Sequence, residues 1–233
     1  MQPPIESDPA RAASWLADRS RVAMLSALAE GKALPAGELA RAAAIGAAAA
    51  SEHLAKLRDA GLVEVVSQGR HRYYRLVSSE VAELLERLAV LVPPPRPLTA
   101  SAARVAAELR LARTCYGHLA GAIGVSVTRA LFDRALLCDA AGACVVTGPG
   151  KSWLRSQGVD VEPMGKIPAR LCPVDWTERR PHLAGALGKG LTDQVLGRGY
   201  AVRVRASRAL RFTERGSRWL RDALGIDLEA LSR

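Results

Sequence analysis

A chain of 233 residues accommodates one large domain or two to three small ones. Its 49% hydrophobic content excludes a disordered chain, and with 4% aromatic residues Leu, Val and Ala must fill a helix-rich core. The net charge of +10 calls for a polyanionic partner, either nucleic acid or an anionic membrane.

No apolar run approaches the roughly 20 residues that span a bilayer, and the opening MQPPIESDPA has no basic and apolar regions of an export signal. The chain is therefore expected to be soluble and cytoplasmic, with nucleic acid and not a membrane as its polyanion. Residues 1–8 read as a flexible tail. From Asp8 the apolar residues Trp15, Leu16, Val22, Leu25 and Leu28 recur at helical spacing until Gly31. Pro35 suits the first turn of a second helix carrying Leu39 and Ala43. Gly46 marks a turn, a third helix runs to Ala60, and Gly61 caps it in the left-handed region. LVEVVSQGRHRYYRL then predicts two strands around a turn at Ser67–Arg70. A further helix, Ser79 to Val92, ends at the stiff spacer PPPRP, which sets a domain boundary at residues 93–100.

The second half contains an internal repeat. HLAGAIG at His118–Gly124 recurs as HLAGALG at His182–Gly188, an offset of 64. Thr147, Gly150, Trp153, Leu154 and Arg155 recur as Thr213, Gly216, Trp219, Leu220 and Arg221, an offset of 66. Slowly growing offsets are what loop-length changes leave in a duplicated fold. The copies fall at residues 101–160 and 161–233, each expected as a short helix-turn-helix, two strands and a closing helix around its Trp.

In the first domain, ELARAAAIG, SEHLAKLRDAGLV (Ser51–Val63) and GRHRYYRL (Gly69–Leu76) stand in order, preceded by LADRSRVAMLSAL (Leu16–Leu28). Together they resemble the ArsR family of winged-helix repressors over about residues 9–92. The resemblance implies a symmetric homodimer on palindromic double-stranded DNA, released by an effector. The fold class expected for the whole chain is mainly α with small β-hairpins (α+β): a winged helix-turn-helix and two further winged-helix-like modules.

Helical geometry supports the DNA reading independently. Ala50, Leu54 and Leu57 lie at i, i+4 and i+7 and face the domain, leaving Ala48, Ser51, Glu52, Ala55, Lys56 and Asp59 on or beside the outward face. Such a helix reads bases from its N-terminal turns. Lys56, Arg70, His71 and Arg72 are candidates for phosphate, contacts that position without specifying. His53 sits at the edge of the packed face, as a phosphate ligand or as a packed ring. Where the family commonly begins this helix with Ser and Thr, this chain has GAAAAS. These alanines offer methyl contacts with thymine but no hydrogen bonds, so base readout must rest on Ser51, Glu52, His53 and a few wing residues, with modest or shape-based specificity. An architectural DNA binder without an effector, and a protein-interaction module that has lost DNA, stay open as alternatives.

For an effector or cofactor, the four Cys (115, 138, 144, 172) show no Cys-x-x-Cys spacing and are expected as free thiols. The helix before recognition holds no Cys, which argues against an arsenic or cadmium sensor of the family's familiar kind. Another set exists: Cys115, His118, Cys172, Asp175 and His182, residue types that suit Zn²⁺ or a softer, thiophilic ion. A purely structural role explains the matched His118 and His182 equally well. A Cys115–Cys172 redox pair ranks lower, since only Arg170 near Cys172 in sequence would favour a thiolate. The sequence shows no phosphate loop, nucleophile elbow or His-Glu-x-x-His, and no enzyme is expected.

Overall fold

The computed structural model describes residues 8–92, 97–161, 169–205 and 207–232. Most of the expected tail and part of the Pro-rich spacer lie outside them. Contacts divide the chain into residues 1–82 and 83–233.

The first unit opens with two helices where one was expected. α1 (Pro9–Leu16) and α2 (Arg19–Leu28) are separated at Asp18, whose carboxylate accepts the Arg21 backbone N–H at 3.0 Å. The Arg21 guanidinium in turn donates to the Trp15 and Ser14 carbonyls at 2.6 and 2.8 Å, satisfying the end of α1. A cap residue inside an apolar period is enough to break the helix. β1 (Leu34–Pro35) leads into α3 (Ala36–Ala42) and α4 (Ala47–Asp59). Past α4, Gly61 at φ +69° donates to the Arg58 carbonyl and Leu62 to that of Leu57, a Schellman closure. β2 (Val63–Gln68) and β3 (His71–Leu76) form an antiparallel wing, with β1 added outside β3. Gly69, at φ +58°, supplies the positive φ that a two-residue hairpin turn requires. The core is aliphatic: Met24, Leu25, Leu28, Leu39, Leu54, Leu57 and Leu76 are each at most 1% exposed. Burying each such side chain contributes roughly 1.5–3 kcal/mol.

α5 (Ser79–Leu91) contains the division, at Ala82 and Glu83. This precedes PPPRP because Glu83 and Glu86 are buried and paired with residues further along the chain.

The second unit continues with α6 (Ala100–Leu111), followed by two copies of one pattern. The first is β4 (Arg113–Cys115), β5 (His118–Ala120), α7 (Gly121–Asp133), β6 (Leu137–Ala140), β7 (Ala143–Val146) and α8 (Gly148–Ser156). The second is β8 (Arg170–Cys172), β9 (His182–Ala184), α9 (Gly185–Gly197), β10 (Ala201–Arg203), β11 (Leu210–Phe212) and α10 (Glu214–Leu224); α11 (Leu228–Leu231) closes the chain. Each copy keeps the helix-then-wing order of a winged helix but opens on a hairpin. The helix-turn-helix expected at LAGAIG is instead a strand end and one 13-residue helix. Gly121 and Gly185, at φ +81° and +65°, make the strand-to-helix step in the two copies. Val125, Val127 and Thr128 of α7 are buried, so its N-terminal half does not present them as a recognition surface.

The duplication extends to single bonds. Thr128 and Thr192 both donate to a carbonyl one turn back, at Gly124 and Gly188, each at 2.8 Å. Thr147 and Thr213 both cap the closing helix by accepting from Gly150 and Gly216. The copies pack reciprocally, β5 against α9 and β9 against α7, around a shared apolar core.

Candidate nucleic-acid interface and a buried Cys–His cluster

The first unit displays its polar chemistry outward. On α4, Ala50, Leu54 and Leu57 are buried, while Ala48, Ser51, Glu52 and Lys56 are exposed. Ser51 Oγ donates back to the Ala47 carbonyl at 3.0 Å, and Gly46 offers no side-chain cap to the first turn. His53 turns inward, its side chain 18% exposed and Nδ1 4.0 Å from the Asp18 carboxylate. At the wing, Arg70, His71 and Arg72 are exposed. Arg75 is held by Glu64 at 2.6 Å, whereas Arg70, Arg72 and Lys56 have no ion-pair partner among the described residues. Three cations without an ion-pair partner among the described residues thus stand at the hairpin tip and on the outer face of α4; others elsewhere in the unit include Arg19, Lys32 and Arg41.

The second unit, charged at its surface as well, also buries polar groups. Cys115, His118, Cys172 and His182 are all 0–1% exposed, and their ligand atoms lie within 4.8 Å of one another. Their convergence follows from the duplication. Cys115 faces His118 across β4–β5, and Cys172 faces His182 across β8–β9. The two hairpins bring the rings together with Nε2 atoms 3.1 Å apart. Asp175, grouped with these residues by sequence, stands behind them. Its Oδ2 accepts the Gly121 N–H at 2.7 Å, pairs with Arg113 at 3.0 Å and lies 3.9 Å from His182 Nδ1.

These neighbours decide the electrostatics. The Cys172 thiol is pulled well below its ordinary range by a hydrogen bond from Cys115 and, against the effect of burial, by His118 and His182. Cys115 is pushed up by its bond to Cys172 and by burial. The expectation that only Arg170 would favour a Cys172 thiolate is thereby corrected: Cys115 and His118 come from the other copy, distant in sequence, and His182 from across the same hairpin. Burial pushes the His118 ring down toward the neutral form. Burial alone would raise Asp175, but the Arg113 charge, Thr177 and the Gly121 N–H hold it down at about 2.

No sequence pattern marks the Arg113 network. Arg113 is 0% exposed, bonded to Glu86 at 2.7 Å and to Asp175, with its guanidinium 4.9 Å from the Trp176 ring centre. Its counterpart Arg170 pairs with Glu83 at 2.9 Å. In the second copy, Arg208 and Arg211 are also held, by Glu86 at 3.6 Å and by Glu108 at 2.6 Å. Trp219 is core, stacked on Tyr200.

Comparison with known proteins bears on both units. A helix-turn-helix domain model matches residues 16–66. Among solved structures, HlyU from Vibrio cholerae N16961 is 32% identical, covering 37% of this chain and 97% of its own, with a TM-score of 0.33. The winged helix-turn-helix DNA-binding domain of Mb0332 from Mycobacterium bovis, described as homodimeric and as a possible ArsR-family regulator, is 29% identical over 39% of this chain and 89% of its own, with a TM-score of 0.33. Likenesses this partial carry no argument for the whole molecule. The HTH-type transcriptional regulator YdfF of Bacillus subtilis, termed uncharacterized, is 38% identical over 210 residues, 89% of this chain and 92% of its own length. An alignment of that length spans both the helix-turn-helix and the duplicated half, and the chain belongs to the helix-turn-helix transcriptional regulators.

Proposed function

We propose that the protein is a homodimeric repressor that binds double-stranded operator DNA, and that its duplicated half senses an effector. In this reading α4 enters the major groove and the β2–β3 wing lies along the flanking backbone. The supporting observation is the outward face of α4 together with the unpaired cations at the wing tip. Ala48 offers a methyl contact to thymine, while Ser51 and Glu52 offer hydrogen bonds to base edges. Lys56, Arg70, His71 and Arg72 meet phosphates, and His53, turned toward Asp18, orients the helix rather than reaching the backbone. Dimerisation is supported by α5, where Leu84, Leu88 and Leu91 form an i, i+4, i+7 stripe, 39%, 38% and 76% exposed.

Fluorescence anisotropy with a duplex from the gene's own upstream region, against a scrambled duplex, tests the reading across a salt series. The expected result is tight, salt-dependent binding to one palindrome. R70A and R72A should each weaken binding to all duplexes and lower the salt slope by about one. L88E should convert a dimer to a monomer in sedimentation. Equal binding to every duplex would favour an architectural protein, and no binding at low salt would overturn the proposal.

A further inference from the structure

The four buried ligand atoms of Cys115, His118, Cys172 and His182 suit one ion better than they suit one another. Tetrahedral ligands at ordinary zinc bond lengths stand about 3.3–3.8 Å apart. The Nε2 atoms already sit at 3.1 Å, and all four donors fall within 4.8 Å. We propose that this Cys₂His₂ cluster is a zinc site, with each half of the duplication supplying one thiolate and one imidazole from a single hairpin.

Three observations carry it. First, four polar groups are sealed in the interior, where unpaired polar atoms cost free energy. Second, His182 Nδ1 has no hydrogen-bond partner, yet faces the Asp175 carboxylate at 3.9 Å. A zinc-bound imidazole characteristically donates its other N–H to such a carboxylate, and Arg113 and the Gly121 N–H fix that carboxylate in place. Third, the ligand pairs occupy equivalent register positions in both hairpins, so the quasi-symmetry of the duplicated half generates four donors around one point. The chemistry is that of a closed structural site, all four positions being protein ligands, so the ion ties the two copies together and leaves no position open for substrate. A hydrogen-bonded His–His pair beside two thiols is the competing arrangement, and a Cys115–Cys172 disulfide is another.

The proposal stands apart from the DNA reading, because its readout is the metal itself. The full chain, purified under reductant, should contain one zinc per chain by elemental analysis. After chelation and reloading with Co²⁺ it should show strong tetrahedral ligand-field bands and a thiolate-to-cobalt charge-transfer band. C115S and C172S should lose both signals, while the double variant C138S/C144S keeps them. Because either site variant could fail to fold, the wild-type spectrum is decisive. Uptake below roughly a tenth of an equivalent of Zn²⁺ or Co²⁺ by the reduced wild-type chain would overturn the proposal, since closed zinc sites bind tightly at neutral pH. So would a cobalt spectrum without thiolate charge transfer, or a Cys115–Cys172 disulfide in the isolated protein with no metal uptake.

Discussion

Both units are charged at the surface, but only the second also carries polar chemistry into its interior. Residues 8–82 surround an aliphatic core and keep their charged groups at the surface. Every buried polar or charged side chain among the described residues lies at Glu83 or later. A surface that meets a polyanion needs solvated, mobile cations, which cost little to display and are easily exchanged by mutation. An interior that holds Arg113, Asp175 and two histidines needs every partner present, because a lone buried charge is far costlier than a paired one. The first arrangement lets specificity drift at small energetic cost; the second locks its residues together.

The sharpest way to break that contrast is to remove one charge from each unit. Arg113→Met leaves Glu86 and Asp175 without their shared cation in a site that is 0–3% exposed. Uncompensated buried charges cost about 3–5 kcal/mol, so urea unfolding of the second unit should shift by that much. Arg75→Ala removes a pair with Glu64 whose side chains are 56% and 43% exposed. Screened surface pairs are worth about 0–1 kcal/mol. Equal losses at both sites would refute the distinction.

This buried network also marks where the sequence stops being informative. The first unit was legible because its signals are local: Ala50, Leu54 and Leu57 at helical spacing, Gly61 ending α4, Gly69 turning the wing. The duplication was legible from matched residues at nearly constant offset. The Cys and His residues of the cluster were visible as types, but their meeting depends on β5 packing near β9, a contact between copies. Arg113 and Glu86 are separated by 27 positions and carry no pattern at all. The strands β4, β5, β8 and β9 are three residues each, too short for alternation to show, and HLAGAIG therefore passed for helix. What reassigns it is the positive φ of Gly121 and Gly185, a property of backbone geometry that composition does not reveal.

Smaller effects should separate the units by packing. In the second unit a Cβ at Gly188 would come within 2.6 Å of the Leu183 carbonyl oxygen, and one at Gly216 would land on that of Tyr200. Backbone cannot yield as a side-chain tip can, so Gly188→Ala and Gly216→Ala should each cost about 1–3 kcal/mol, read as a lowered urea midpoint. Gly37, in α3 of the first unit, has nothing within 4 Å of its Cβ position. There the substitution to Ala should stabilise by up to about 0.5–1 kcal/mol through helix propensity. A loss at Gly37 matching that at Gly188 would mean that the first unit is as tightly closed around its helices as the second.

The smallest expected effects concern helix ends, where the same physics should act in both units and the contrast should shrink. Thr147 and Thr213 accept from the N–H groups of Gly150 and Gly216, and their hydroxyls also donate to the Ala135 and Gly199 carbonyls. Replacing either by Ala should cost about 1 kcal/mol, and the two costs should agree, since the copies repeat the motif bond for bond. α4 lacks such a cap, and the Cβ position of Gly46 has nothing within 4 Å. Gly46→Ser should therefore stabilise the first unit by a few tenths of a kcal/mol, read as a raised urea midpoint. A gain of that size would mean that α4's uncapped N-terminus is a place where the first unit forgoes stability at its exposed face, whereas the second unit caps both closing helices. No gain would mean that water already satisfies those N–H groups, and the difference between the units would then rest on their interiors alone.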